Sequence, residues 1–255
     1  MSVWAIVLGG GSGSRFTEGS GGTAGADGTA TPKQFLDLGG RSLIAHSVAA
    51  AGAACDGVVA VVPDRDHPGV GAIGADVVVS GGAARADSVR AGLAAVPADA
   101  AVIVIADAAH PLASPELFTS VVDAVRSGAE GAFPALPLVE VVATLGPDGS
   151  RVGSVPRTGN VLVQTPQAFR ADLLRQAHSA AADAVEDSAM VAELAVQGRP
   201  ARVVAVPGDV RNVHVTTPVE LEVARALLAV APWAGRASAS SAAGTAGSAE
   251  GTGAL

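Results

Sequence analysis

Ala101-Val102-Ile103-Val104-Ile105-Ala106-Asp107 is an unbroken apolar run closed by a carboxylate. A strand that is apolar at every position has no face to offer water. It must be covered on both sides, as in a mostly parallel sheet flanked by helices. Shorter stretches repeat the pattern: Ala5 to Leu8, Val58 to Val62, Val77 to Val79, Gly131 to Leu136 and Arg202 to Val206. Helical spacing falls between and after them, over Ser42 to Ala54, Asp87 to Val96, Glu116 to Ser127, Asp187 to Gln197 and Pro218 to about Val230. Strand and helix therefore alternate, which is the order of an α/β fold. Hydrophobic residues make up 49% of the chain but aromatics only 3%, so the core must come from Val, Ala, Leu and Ile.

From Pro137 to Gln164 the alternation stops. Val139 to Leu145 and Arg151 to Val155 flank Gly146-Pro147-Asp148-Gly149, a hairpin turn signal, and predict a β-arm over about 137–160 projecting from the body. One domain over residues 1–232 is expected. The Ala/Gly/Ser segment 233–255 reads as a disordered tail, and the Gly/Ala/Thr-rich stretch from Thr17 to Thr31 as a mobile loop.

Bulk properties narrow the function. A net charge of −8 and a pI of about 5.0 disfavour a general nucleic-acid binder. Cys55 is alone, which excludes an intramolecular disulfide and a cysteine zinc cage. No basic segment precedes the first strand and no apolar run is long enough to span a bilayer, so a soluble, cytoplasmic protein is expected.

Sixteen residues are Lys or Arg, and fifteen of them are arginine. The single lysine, Lys33, lies in Thr31-Pro32-Lys33-Gln34-Phe35, downstream of Leu8-Gly9-Gly10-Gly11-Ser12-Gly13-Ser14-Arg15. The glycine run fits neither the dinucleotide fingerprint nor a P-loop, which would need Gly-Lys followed by Ser or Thr. A backbone turn wrapped round a nucleoside triphosphate, with Arg15 and Lys33 neutralising it, accounts for the pattern better.

Asp107 ends the most apolar strand, where open α/β sheets place their ligands. It is a magnesium ligand or a helix N-cap, and the residues alone leave both open. Asp209, in Gly208-Asp209-Val210-Arg211-Asn212, is a second ligand or an ordinary turn aspartate. Arg85 and Ser88 offer contacts to a base or ribose; the alternative is a helix start with a solvated arginine. His110 and His214 are far apart in sequence and lack metal-site spacing.

The ordered set of these segments resembles one family. It runs from the glycine loop with Arg15 through Pro32-Lys33-Gln34-Phe35-Leu36, then Gly81-Gly82 with Arg85-Ala86-Asp87-Ser88-Val89. Asp107-Ala108-Ala109 with Pro111 follows, then Arg157, Gln164-Thr165-Pro166-Gln167, Gly208-Asp209 and Asn212 to Pro218. The chain is similar to the 2-C-methyl-D-erythritol 4-phosphate cytidylyltransferases of the nonmevalonate isoprenoid pathway, and to the related ribitol-5-phosphate cytidylyltransferases. The resemblance implies a Rossmann-like nucleotidyltransferase fold and a homodimer clasped by the β-arm. The implied reaction joins CTP to an alditol phosphate and releases pyrophosphate.

In that scheme Arg15 and Lys33 hold the triphosphate, and Asp107 and Asp209 fix Mg2+. Gly9, Gly10, Gly11, Gly82, Arg85, Ser88 and Ala108 contact the nucleotide. His110, Arg157, Thr165 and His214 fall in the acceptor set. The departures from the family are concentrated there. His110 stands where the family has Arg, His214 where it has Lys, and Val141 where a Thr is expected on the arm. Ala83 replaces an acidic residue, and Val185-Glu186-Asp187-Ser188-Ala189 replaces a Thr-Asp-Asp/Glu-Ala run. Loss of permanent cations leaves a different polyol phosphate as the alternative acceptor, and a non-catalytic nucleotide-binding relative as the alternative class.

Overall fold

The computed structural model describes residues 1–9, 31–180 and 186–230. Gly10, Gly11, Arg15, nearly all of the loop expected at 17–31, and the tail at 233–255 lie outside the described residues. The strands are β1 Val3–Leu8, β2 Asp37–Leu38, β3 Arg41–Ser42, β4 Gly57–Val62, β5 Val77–Ser80, β6 Val102–Asp107 and β7 Gly131–Pro137. They continue with β8 Val142–Leu145, β9 Arg151–Val155, β10 Val161–Val163, β11 Gln167–Arg170, β12 Ala195–Val196, β13 Arg199–Pro200 and β14 Val203–Pro207. The described α-helices are α1 Leu43–Ala54, α2 Arg85–Ala95, α3 Pro115–Arg126, α4 Ala171–Ala180, α5 Asp187–Ala192 and α6 Pro218–Val230.

The main sheet has the order β10-β7-β11-β6-β1-β4-β5, with β14 also pairing β7. β1 runs parallel to β4 and β6, β4 to β5, and β14 to β7; β11 is antiparallel to β6 and β7, and β10 to β7. Both faces are covered, as the apolar runs require. Alternate residues Val3, Ala5 and Val7 join one core with Ile44, Phe118 and Val121. Ile6 and Leu8 join the other with Val59, Ile103, Ile105, Val89 and Leu174. A third cluster packs Leu38, Leu43 and Leu112 against Val215, Leu221 and Ala224 of the C-terminal segment. That cluster brings the chain around Val215 back beside the start of α1. No described helix is long and apolar enough to cross a membrane.

Local chemistry sets the ends. The Ser42 and Ser114 side chains accept from Ala45 N and Leu117 N, capping α1 and α3, and Pro115 opens α3 where its missing N–H is no loss. The arm forms around Gly146–Gly149 with an irregular register at Thr144/Leu145. The helix expected from Asp187 to Gln197 stops at Ala192. Gln197 and Gly198 both have positive φ, 52° and 79°, and close a two-residue hairpin between Val196 and Arg199. Two residues at positive φ form the turn whose twist suits a hairpin, and a helix cannot continue through it. Helix α4 and strands β10 and β11 go beyond the elements expected from the sequence. In α4 the buried positions Leu174, Ala177 and His178 do carry the i, i+3, i+4 spacing of a helical face turned inward.

His46 in α1 is buried, and its Nε2–H donates to Leu38 O at 2.7 Å. Burial lowers its pKa from 6.5, outweighing the Leu38 carbonyl that would raise it. The unfolded imidazole therefore takes up a proton at higher pH than the folded one. Stability should be unaffected by this residue above pH 6.5 and fall as pH drops from there through the lowered folded value. His46→Gln keeps an N–H donor without the titration, so its denaturant midpoint should fall less than the parent's between about pH 7 and pH 5. Parallel pH dependence of the two proteins would refute the assignment.

Candidate functional site

The carboxyl ends of β1 and β6 lie side by side, with Leu8 opposite Asp107 in the register. Gly9 leaves β1 with its N–H on Val61 O at 2.7 Å. A Cβ there would lie 2.7 Å from Ile44 Cδ1 and 3.1 Å from Val61 O, so only glycine lets this turn sit so close to the sheet. On the β5 side, the Gly81-Gly82 turn leads into α2, whose first turn carries Arg85 and the buried Ser88. Asp87 Oδ2 accepts from Ala84 N at 3.1 Å and closes that turn.

Asp107 caps no helix. The first helix after it begins at Pro115 and has its own cap in Ser114. The Asp107 carboxylate lies instead 3.7 Å from Arg85 Nη2. Arg85 Nη1 meanwhile donates to Asp187 at 2.6 Å. Arg85 is thus not a solvated helix-start arginine, because two carboxylates hold it; both raise its pKa against the lowering effect of burial.

Three segments distant in sequence are tied together behind Asp107. The Asp107 N–H donates to Thr165 Oγ1 at 3.3 Å, and Asn212 Nδ2 donates to Thr165 O at 2.8 Å. Gln164 Nε2 donates to Asp209 O and Asn212 O at 3.0 and 3.1 Å, while its Oε1 accepts from Asp209 N at 3.1 Å. Gln164, Thr165 and Asn212 are all buried. These bonds set the Asp209 loop beside the strand end that bears Asp107. Asp209 also serves as a turn aspartate, accepting from Arg211 N at 2.8 Å.

His110 and His214, about a hundred residues apart, stack with ring centroids 4.6 Å apart and planes 7° from parallel. His110 is buried and its Nδ1 contacts Asn212 O at 3.2 Å. Burial, then the neighbouring His214, pushes the His110 pKa down to about 4, against the raising influence of Asp107. Spacing gives no hint of this pair, because turns after two different strands bring the rings together. Lys33, in a single 3-10 turn, donates from Nζ to Val215 O at 3.0 Å, one residue from His214. Arg157 is exposed at the base of the arm and donates to Val139 O at 3.1 Å, within the arm rather than to the cluster around Asp107.

Lys33, Arg85, Asp107, Ala108, His110, Thr165, Asp209 and His214 thus belong to connected segments, with Gly9, Gly82 and Ser88 on the adjoining turns. Gln164, Asn212, Asp187 and His178 complete the network, although the sequence reading gave none of them a role. Among the described residues, no three His, Cys, Asp or Glu side chains form a metal cage.

The chain matches the family model described as 2-C-methyl-D-erythritol 4-phosphate cytidylyltransferase over residues 3–230. A relative of that name from Rhodococcus jostii (strain RHA1) is 37% identical over 201 residues, covering 77% of this chain and 87% of the relative. The "Bifunctional enzyme IspD/IspF" of Solidesulfovibrio magneticus is 36% identical over 242 residues; the match covers 87% of this chain but 56% of that relative. The crystal structure of 2-C-methyl-D-erythritol 4-phosphate cytidylyltransferase from Thermus thermophilus superposes with a TM-score of 0.68 at 29% identity, covering 88% of this chain and 98% of that one.

Gln164 closes the network with three hydrogen bonds from a buried position. Gln164→Leu leaves the Asp209 N–H without a partner and takes one hydrogen bond each from Asp209 O and Asn212 O, which keep Asn212 N and His110 Nδ1, so chemical denaturation should show a loss of about 1–3 kcal/mol. A change below about 0.5 kcal/mol would mean the bonds are dispensable.

Proposed function

The chain belongs to the 2-C-methyl-D-erythritol 4-phosphate cytidylyltransferase family, a nucleotidyltransferase family that uses CTP, and we propose that it transfers CMP from CTP to 2-C-methyl-D-erythritol 4-phosphate. An oxygen of the acceptor phosphate attacks the α-phosphorus in line. A new P–O bond forms, the bond to the β,γ-pyrophosphate breaks, and pyrophosphate leaves. Reactant positioning and stabilisation of charge on the equatorial and bridging oxygens supply the catalysis, with no covalent enzyme intermediate.

The observation that supports this reading most directly is the convergence of Lys33, Asp107, the Asp209 loop and the His110–His214 pair at one end of the sheet. Lys33 and Arg15 hold the triphosphate. Gly9, Gly10, Gly11, Gly82 and Ser88 let the nucleotide approach backbone and helix start, while Ala108 and Arg85 border it. Asp107 and Asp209 are two hard oxygen donors, the number that magnesium commonly takes from protein when phosphates complete its shell, so the donor set suits Mg2+. When bound there, the ion supplies neutralising charge to the triphosphate. Thr165, His110 and His214 face the acceptor, with Arg157 completing the set from a second protomer. Exposed Val139, Val141, Val142, Leu145, Val152 and Val161 on the arm and the adjoining β10 support a homodimer clasped there. A cytoplasmic setting is part of the same reading.

One observation favours a different alditol phosphate, such as ribitol 5-phosphate, as acceptor. Two stacked imidazoles, one with its pKa pushed down to about 4, stand where the family carries permanent cations. A neutral ring gives a phosphate a hydrogen bond without a full charge.

Lys33→Ala should lower kcat/KM for CTP by about 10²–10³-fold, with little change in melting temperature. An unchanged rate of pyrophosphate release would remove Lys33 from the site. His214→Lys should lower KM for methylerythritol phosphate by about tenfold if that is the acceptor. No gain, together with faster release from ribitol 5-phosphate, would transfer the assignment to the second acceptor.

A further inference from the structure

His178 is buried in α4, and the mechanism above gives it no role. Its Nε2–H donates to Asp187 Oδ1 at 2.8 Å, and its Nδ1 has no hydrogen-bond partner among the described residues. The ring therefore exerts its polar effect through one atom. Asp187 is as deeply buried, with 1% of its side chain exposed, and its second oxygen takes Arg85 Nη1 at 2.6 Å. The other arginine nitrogen, Nη2, is the one that lies 3.7 Å from Asp107. The segment bearing Asp187 is pinned on either side. Glu186 accepts from Gln167 Nε2 at 2.7 Å and from Ser188 Oγ at 2.6 Å.

We propose that His178 is a positioning residue for the nucleotide site, acting through Asp187 on Arg85. A carboxylate and a guanidinium prefer to pair as two forks, with two parallel hydrogen bonds. His178 occupies Oδ1, so Asp187 holds Arg85 by Oδ2 alone and leaves Nη2 turned toward Asp107. Without that donor, Asp187 carries a buried oxygen lacking a partner, which is costly. The nearest remedy is to take both guanidinium nitrogens, which swings Nη2 away from Asp107. Arg85 is then drawn off the nucleotide that it borders, and CTP binds more weakly.

The proposal rests on Arg85 and Asp107 bordering the nucleotide, and the experiment separates the two claims. Pyrophosphate release is followed against CTP concentration for the parent, His178→Leu, His178→Gln, Arg85→Ala and the Arg85→Ala/His178→Leu double variant, with thermal unfolding alongside. His178→Leu should raise KM for CTP about fivefold with kcat within about twofold, and His178→Gln, whose amide N–H reaches like Nε2, should restore KM. In the Arg85→Ala background the His178 substitution should add nothing, because its route is gone. If His178→Leu does not fold, His178→Asn, with an amide too short to reach Asp187, takes its place with the same expectation.

Unchanged KM with only a lowered melting temperature would make His178 a structural residue and overturn the proposal. An equal effect with and without Arg85 would overturn the relay alone. An Arg85→Ala variant with parental KM would overturn the placement of Arg85 at the nucleotide, and the relay with it.

Discussion

The buried amides of Gln164 and Asn212 are what the rest of the site depends on. Between them they bond Thr165, in the link between β10 and β11, and both ends of the Asp209–Asn212 loop, while Thr165 in turn receives the N–H of Asp107. An amide side chain donates and accepts at once, so it can satisfy a backbone N–H and C=O of the same loop. Apolar packing brings these segments near each other but has no directional preference. The hydrogen bonds fix the loop's register against the strand and so set Asp209 relative to Asp107.

The scaffold behind the amides follows from composition. With 3% aromatic residues, the chain fills its cores with branched aliphatics and alanine, and strands apolar on both faces must be sandwiched between helices. That arrangement places the carboxyl ends of β5, β4, β1, β6 and β7 along one rim, interrupted by the amino end of the antiparallel β11. The small third core, around Leu38, Leu43 and Val215, then pulls the C-terminal segment over the rim. Lys33 and His214 gain their proximity from this fold-back, with Lys33 bonded to Val215 O.

Much of this was legible in the sequence. Apolar runs located β1, β4, β5, β6 and β14 to within one or two residues, and helical spacing located α1, α2, α3 and α6. Asp107 was identified by its place after the most apolar strand, and the ordered motifs pointed to the family that the comparison then matched. The arm was foreseen from its turn residues. What failed had physical causes. The helix expected through Gln197 gives way after Ala192 to a hairpin whose turn holds two positive-φ residues, a local event hidden within helical periodicity. The His110–His214 stack and the Arg85–Asp187 pair each join side chains about a hundred residues apart in sequence. No spacing rule encodes such meetings, because the topology of the sheet creates them.

The central claim is that this rim transfers a cytidylyl group to methylerythritol phosphate although imidazoles stand where permanent cations would. The most direct test follows CTP consumption and pyrophosphate release by the parent protein with Mg2+, in the presence and absence of methylerythritol phosphate, and identifies the nucleotide product. The account predicts release that requires the acceptor, with one diphosphocytidyl product formed per pyrophosphate. Release independent of the acceptor, or CTP binding with no transfer to methylerythritol phosphate, would contradict it.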